Sequence, residues 1–321
     1  MEVAERRRIV AIEEHYGDAE LMASPGFGRD LPGGKVRERL EDLGELRLKE
    51  MDEAGIDVQV LSHVSPSLQR FDAETAVRLA RGVNDRLRDT CAAHPGRYAA
   101  FAALPTDDPK AAADELERTV TRHGFKGAMI HGLANGVFLD DRRFWPIFER
   151  AAALDVPIYL HPAAPHPAVV DAYYKDYAAD FWCLTGPAWA FAVETGTQAV
   201  RMVLSGVFDR YPNLRIVLGH LGEGVPFMLW RLDYTLKWPG NKPVAFRDTF
   251  CDRFWVTTSG FFSDPALQCT ISEMGVDHVL FSVDWPFVMN PPGTGWLNRL
   301  QLAPADKAKI MGGNAERLLK L

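Results

Sequence analysis

A closed (β/α)₈ barrel is the fold this sequence predicts, from three observations: eight short apolar runs, amphipathic stretches between several of them, and a first run that leads into no phosphate-binding turn. The runs are Ile9–Glu13, Val58–Ser62, Tyr98–Leu104, Gly127–His131, Val156–His161, Arg215–His220, Phe254–Ser259 and His278–Asp284. Most are rich in Val, Ile, Phe or Tyr and nearly all apolar, which suits strands buried on both faces of a parallel sheet. Between them Ala76, Leu79, Val83 and Leu87 recur at spacings of three and four, and Asp108–His123 and Arg142–Leu154 also read as helices. Gly55 and Gly124 stand where helices should stop, ahead of the second and fourth strands. A doubly wound open sheet is the alternative. It normally carries a Gly-rich turn after its first strand, and Glu13-Glu14-His15-Tyr16-Gly17-Asp18 is not one.

The chain has 321 residues, 47% of them hydrophobic, so residues 1–321 can fill one barrel domain without a second core. A net charge of −7 gives no electrostatic reason to bind nucleic acid or an anionic membrane. Cys91, Cys183, Cys251 and Cys269 form no CxxC pair, which argues against a disulfide framework or a zinc knuckle and for a reducing, cytoplasmic compartment. The first apolar stretch, Ile9-Val10-Ala11-Ile12, is too short for a signal peptide or membrane anchor. Two segments exceed what a barrel needs: residues 16–42, with Pro25-Gly26-Phe27-Gly28 and Pro32-Gly33-Gly34, and residues 162–186. These inserted loops follow strands one and five at the end where barrels build their sites, so they read as walls or lids, with surface decoration as the competing reading.

Of nine histidines, five (His15, His63, His131, His161 and His220) fall at or just beyond the end of a proposed strand. Three-residue windows at eight strand ends would catch on the order of 0.7 histidines by chance, so the excess marks one rim of the barrel. Glu13 and Asp284 join the same ring. Imidazole and carboxylate together suit Zn²⁺, Mn²⁺ or Fe²⁺. Glu13 and His15 are two apart on an extended segment and so point to one side, and strand eight closes against strand one. Each residue also has a plainer reading. A single histidine after a strand is often a packing or surface residue, and Glu13-Glu14-His15 could be a solvated turn. Asp284, behind the apolar Val279–Val283, needs a partner that an ion or a histidine would supply.

At these residues the sequence resembles a known family. It is similar to the amidohydrolase-related decarboxylases, the branch that contains aminocarboxymuconate-semialdehyde decarboxylase, and within it to the γ-resorcylate (2,6-dihydroxybenzoate) decarboxylases. The similarity runs over nearly the whole chain. It is carried by Glu13-Glu14-His15, Arg47-Leu48-Lys49-Glu50-Met51-Asp52, Tyr159-Leu160-His161-Pro162, Gly186-Pro187-Ala188-Trp189-Ala190-Phe191, Gly219-His220-Leu221-Gly222-Glu223 and Phe281-Ser282-Val283-Asp284-Trp285-Pro286-Phe287. The resemblance implies an amidohydrolase-like barrel with Glu13, His15, His161 and Asp284 as ligands of one Zn²⁺ or Mn²⁺. It implies a His220–Glu223 pair beside the substrate, Arg231 near the site, and a homodimer or homotetramer. Two positions depart from the resorcylate enzymes: His131 replaces an asparagine at the end of strand four, and Val288 a glutamate. Both would face the substrate. Lys126 opens strand four rather than closing it, which speaks against the bridging lysine of binuclear relatives.

The chemistry these residues permit is non-oxidative decarboxylation of a hydroxylated aromatic acid. A divalent ion would anchor carboxylate and phenolate, and Asp284, poised by His220 and Glu223, would protonate the ring carbon. Hydrolysis of an ester, lactone or amide on the same ligands, with Asp284 as base, is the alternative; a binding module without catalysis is a third. Phe27, Trp189, Phe191, Trp285 and Phe287, near strand ends, lean towards an aromatic substrate, with ordinary packing as the competing reading.

Overall fold

The computed structural model describes residues 7–24, 27 and 33–321. Eight parallel strands form as the apolar runs require: β1 (Val10–Tyr16), β2 (Val58–His63), β3 (Tyr98–Ala100 continued by Ala102–Ala103), β4 (Ala128–His131), β5 (Ile158–His161), β6 (Ile216–Leu218), β7 (Phe254–Thr257) and β8 (Val279–Leu280). Each pairs with the next in sequence order, and β3 joins a three-stranded and a longer ladder because its two halves face different neighbours. The seam between β8 and β1 is made by single backbone bonds, Asp284 N–H to the Glu13 carbonyl at 3.1 Å and His15 N–H to the Trp285 carbonyl at 2.7 Å.

Alternate residues serve two clusters. Val10, Ile12, Val58, Val60, Phe101, Met129, Tyr159, Val217 and Leu280 form one, with Ala315 and Leu318 of the last helix. Ala11, Leu61, Ile130, Ile158, Leu160, Ile216, Leu218 and Val256 pack outward in the other. The helices obey the spacing read from sequence. Helix Ala73–Ala93 buries Ala76, Leu79, Val83 and Leu87, and Asp108 caps helix Pro109–His123 by accepting from the Ala111 N–H. The Arg142–Leu154 stretch divides into a tight turn, Arg142–Phe144, and a helix, Trp145–Leu154. Gly55 and Gly124 end their helices in the left-handed conformation, at φ 76° and 72°.

Three features differ from the sequence reading. β1 runs on past Glu13 to Tyr16 and carries a bulge between Ala11 and Glu14. The extra residue switches which side chains point inward, from Val10 and Ile12 below to Glu13 and His15 above. The segment after β5 is largely helical turns, Pro167–Val169, Val170–Tyr174, Lys175–Ala178 and Trp182–Thr185, rather than an open loop. The segment after β1 holds helices Ala19–Ala23 and Lys35–Glu41, while Pro25-Gly26, Gly28 and Pro32, singled out as part of a lid, lie outside the described residues. Among the described residues no helix is long and apolar enough to cross a membrane.

Candidate metal centre and active site

Glu13 and His15 from β1, His161 from the end of β5 and Asp284 beyond β8 converge, with one donor atom from each lying within 4.8 Å of all the others. His15 Nε2 stands 3.1 Å from Asp284 Oδ1, and His161 Nε2 stands 3.3 Å from Glu13 Oε1. Donors that sit about 2.0–2.2 Å from a common ion are themselves about 3–3.5 Å apart, so the spacing suits one divalent transition ion. Glu13 Oε1 and His15 Nε2 are also buried without a hydrogen-bond partner, the state expected of donor atoms reserved for a cation.

Each donor is oriented from behind. Glu13 Oε2 accepts from the hydroxyls of Tyr159, Thr257 and Ser259, which leaves Oε1 as the free oxygen. Gly219 makes room for this arrangement, since a Cβ there would lie 3.0 Å from Oε2. Burial opposes ionisation of Glu13, but the imidazoles of His220, His161 and His15 outweigh it and hold the carboxyl below its ordinary range. Burial also holds His15 below its ordinary value, favouring the neutral imidazole that a metal requires. The Nδ1 of His15 faces Ser62 Oγ at 3.3 Å. The Nδ1 of His161 lies 2.7 Å from the Pro162 carbonyl, so that nitrogen carries the proton and Nε2 keeps its lone pair.

His220 stands beside the four. Its Nδ1 is 2.8 Å from Glu223 Oε1, and its Nε2 is 4.0 Å from Asp284 Oδ2 and 3.9 Å from Glu13 Oε1. Burial opposes a charge on His220, and the carboxylates of Glu223 and Glu13 outweigh it, holding the imidazole well above its ordinary value. The pair is displayed by a left-handed turn: His220, Leu221, Gly222 and Glu223 have φ of 49°, 54°, 83° and 55°. Three of those four are not glycine, at a cost of about 1–2 kcal/mol each, which marks the turn as one held by its surroundings. Gly222 admits no substitute, because a Cβ would meet Pro226 Cδ at 2.9 Å and Val256 Cγ1 at 3.0 Å.

The remaining site candidates scatter. His131 is buried with its Nδ1 3.1 Å from the Nδ1 of His161, behind a donor rather than among them. Phe287 lies edge-on to His15, with ring centres 5.7 Å apart, and is 41% exposed. Phe27 is buried, stacked on Phe71 and edge-on to His63; the structure does not bring it to the cluster. Trp189 is largely exposed at the start of helix Ala190–Ser205. Arg231 is exposed on helix Val225–Thr235 and has no ion-pair partner among the described residues. His63 turns away from the rim and accepts the Asp18 N–H at 3.1 Å, while Trp285 is fully buried under Arg47. Lys126 donates to the Lys320 carbonyl, at the opposite end of its strand from the donors. The sequence reading missed the hydroxyl cradle of Tyr159, Thr257 and Ser259. Only Tyr159, a phenol two residues before His161 and therefore on the same face, carried a signal for it.

A parallel barrel with carboxylate and imidazole donors at its C-terminal rim defines a metal-dependent enzyme of the amidohydrolase kind. The chain belongs to the amidohydrolase family, whose model matches residues 18–321. A gamma-resorcylate decarboxylase from Polaromonas sp. (strain JS666) is 41% identical over 327 residues, covering 97% of this chain and 98% of its own. A crystal structure of a 2,6-dihydroxybenzoate decarboxylase complexed with 2,6-dihydroxybenzoate superposes with TM-score 0.89 at 41% identity, over 98% of this chain and 100% of that one. A dihydroxybenzoic acid decarboxylase from Polaromonas sp. JS666, with bound manganese and the inhibitor 2-nitroresorcinol, superposes with TM-score 0.90 at 40% identity over 98% of each chain.

Proposed function

We propose that this chain is a metal-dependent, non-oxidative decarboxylase of a hydroxylated aromatic carboxylic acid, a carboxy-lyase that protonates a ring carbon and releases CO₂. The observation that carries the reading is the convergence of Glu13, His15, His161 and Asp284, two of them with buried, unpaired donor atoms, in a chain so similar to resorcylate decarboxylases. These four residues would hold one Mn²⁺ or Zn²⁺, which when bound supplies the positive charge that orients a carboxylate and a neighbouring phenolate.

The chain's own groups account for the proton. Asp284 delivers it to the carbon bearing the carboxylate, the C–C bond to CO₂ breaks, and its electron pair restores the aromatic ring. Burial opposes ionisation of Asp284, but the neighbouring imidazoles of His15 and His220 outweigh it and hold the carboxyl below its ordinary value. Asp284 therefore rests as a carboxylate and takes up an exchangeable proton before passing it on. Glu223 fixes the ring of His220, so that His220 Nε2 faces Asp284. Phe287 offers a flat apolar face next to His15 for an aromatic ring. His131 and Val288 are the two positions at which this chain departs from the resorcylate enzymes that it resembles, so the preferred acid is not taken from them. Arg231 and Trp189 are the remaining proposed substrate contacts, and Phe27, packed on Phe71 and His63 away from the donors, is no longer one of them.

The same reading takes residues 1–321 as one barrel domain, cytoplasmic, and assembled as a homodimer or homotetramer. Support for assembly comes from the flank that helix Val225–Thr235 presents, where Phe227, Trp230 and Tyr234 are all more than half exposed. CO₂ release from a panel of hydroxybenzoates in D₂O tests the activity, with one deuterium expected at the carbon that lost CO₂. Protein that releases no CO₂ but cleaves a lactone would replace this reading with the hydrolase.

A further inference from the structure

Asp284 is held in a left-handed backbone conformation, at φ 73°. A residue other than glycine keeps such a conformation at a cost of about 1–3 kcal/mol, and only where its surroundings impose it. The surroundings are two glutamates of β1. The Asp284 N–H donates to the Glu13 carbonyl at 3.1 Å. The amides on either side belong to Glu14: Val283 N–H donates to Oε1 at 2.9 Å and Trp285 N–H to Oε2 at 3.1 Å. The Ser282 hydroxyl donates to Oε1 at 2.9 Å while accepting the Glu13 N–H at 2.6 Å. Burial pushes the Glu14 carboxyl up to about 8 against these bonds, and three donors on two oxygens still call on both oxygens, which an amide with one cannot supply.

A buried guanidinium braces the same seam from behind. Arg47 has no exposed surface, and its guanidinium donates to the His15 carbonyl at 2.5 Å, to Gln59 Oε1 at 3.1 Å and to the Asp42 carbonyl at 3.1 Å. Its Cζ lies over the Trp285 ring, 3.9 Å from the centre, while the Trp285 indole N–H donates to Glu50 Oε2 at 2.8 Å. The bulge in β1 makes this possible, because it turns Glu14 outward while Glu13 and His15 face the donors.

We propose that Glu14 is a positioning residue for the metal centre, gripping the backbone on both sides of Asp284 so that its carboxylate points at the other donors, with Arg47 locking the β1 side of the same clamp. The proposal rests on the metal reading above. It is tested on the full chain by titrating Mn²⁺ and following free and bound ion by electron paramagnetic resonance, beside thermal unfolding of the metal-free protein. Glu14→Gln keeps the shape and sets an N–H₂ against an N–H. It is expected to weaken Mn²⁺ binding by about 10- to 100-fold and to change the bound-ion spectrum. Arg47→Lys keeps the charge, loses the fork, and should weaken binding by roughly fivefold. Asn84→Ala removes an equally buried bridge to Ala103 and Glu115, and should lower the unfolding midpoint with no change in Mn²⁺ affinity. Glu14→Gln that binds Mn²⁺ as tightly as wild type with an unchanged spectrum, or loses no more affinity than Asn84→Ala, overturns the proposal. If Glu14→Gln does not fold, unchanged affinity in Arg47→Lys overturns it. Wild-type protein that takes up no Mn²⁺ would instead overturn the metal reading itself.

Discussion

At the strand tips Glu13, His15 and His161 are almost wholly buried, and their outward-facing atoms are hydrogen-bonded to Tyr159, Thr257, Ser259, Ser62 and Pro162. Along the flank that helix Val225–Thr235 presents, Phe227 is 81% exposed, while Trp230 and Tyr234 stack on each other at 5.1 Å and are themselves exposed. The two regions invert the usual rule, with charge inside and aromatic surface outside. Burying carboxylates and imidazoles costs free energy that an ion would offset, and exposing aromatic rings costs free energy that another apolar surface would offset. Each region is thus incomplete in its own way, one towards a cation and one, on the proposed assembly, towards a second copy of the chain.

The sharpest way to break this comparison is to remove a donor. His161→Ala is expected to abolish turnover and bound metal while far-UV circular dichroism stays that of a folded barrel, since the site lies on the rim and not in the packed layers. Loss of the fold, or full activity with full metal, would remove His161 from the site. Asp284→Asn should come next, lowering decarboxylation by roughly two to four orders of magnitude while an unreactive aromatic acid still binds. Calorimetry showing that the acid no longer binds would assign Asp284 to substrate binding instead. Tyr159→Phe takes one hydroxyl from the Glu13 cradle and should weaken Mn²⁺ by about tenfold, as read by metal-buffer titration. Equal affinity would make the cradle ordinary packing. The smallest effect on the site belongs to the flank. Phe227→Asp with Trp230→Ala should lower the molar mass measured by light scattering and leave Mn²⁺ affinity unchanged. An unchanged mass would place any assembly surface elsewhere.

The strands and the donors were legible for the same reason. A polar residue at the end of an apolar run must be buried, and a buried carboxylate or imidazole declares a partner. The ring of His15, His63, His131, His161 and His220 with Glu13 and Asp284 was therefore legible from the residues, and the family resemblance picked Glu13, His15, His161 and Asp284 out of it. Asp284's φ of 73° was not legible, because it is imposed by Glu14 across the seam, and neither was the left-handed turn that shows His220 to Asp284. The bulge in β1 was invisible because it exists only in the pairing with β2. Thr257 and Ser259 carry no signal along the chain, because their role depends on β7 bringing them up to a carboxylate from β1. Aromatic residues were least legible. Trp285 and Phe27 pack inside, Phe287 stands by His15 and Trp189 faces outward, and residue type alone does not separate these fates.

The seam that closes the barrel, Asp284 N–H to the Glu13 carbonyl, joins two residues that are also donors of the same cluster. An ion held there is a cross-link between the first strand and the last, tying together the two ends of the circle. Its binding free energy is then shared with folding: at a free ion concentration 100 times the dissociation constant, stability rises by about 2.7 kcal/mol. The barrel's melting temperature would then gauge how full its rim is, and chelation would loosen the fold at the joint where the first strand meets the last.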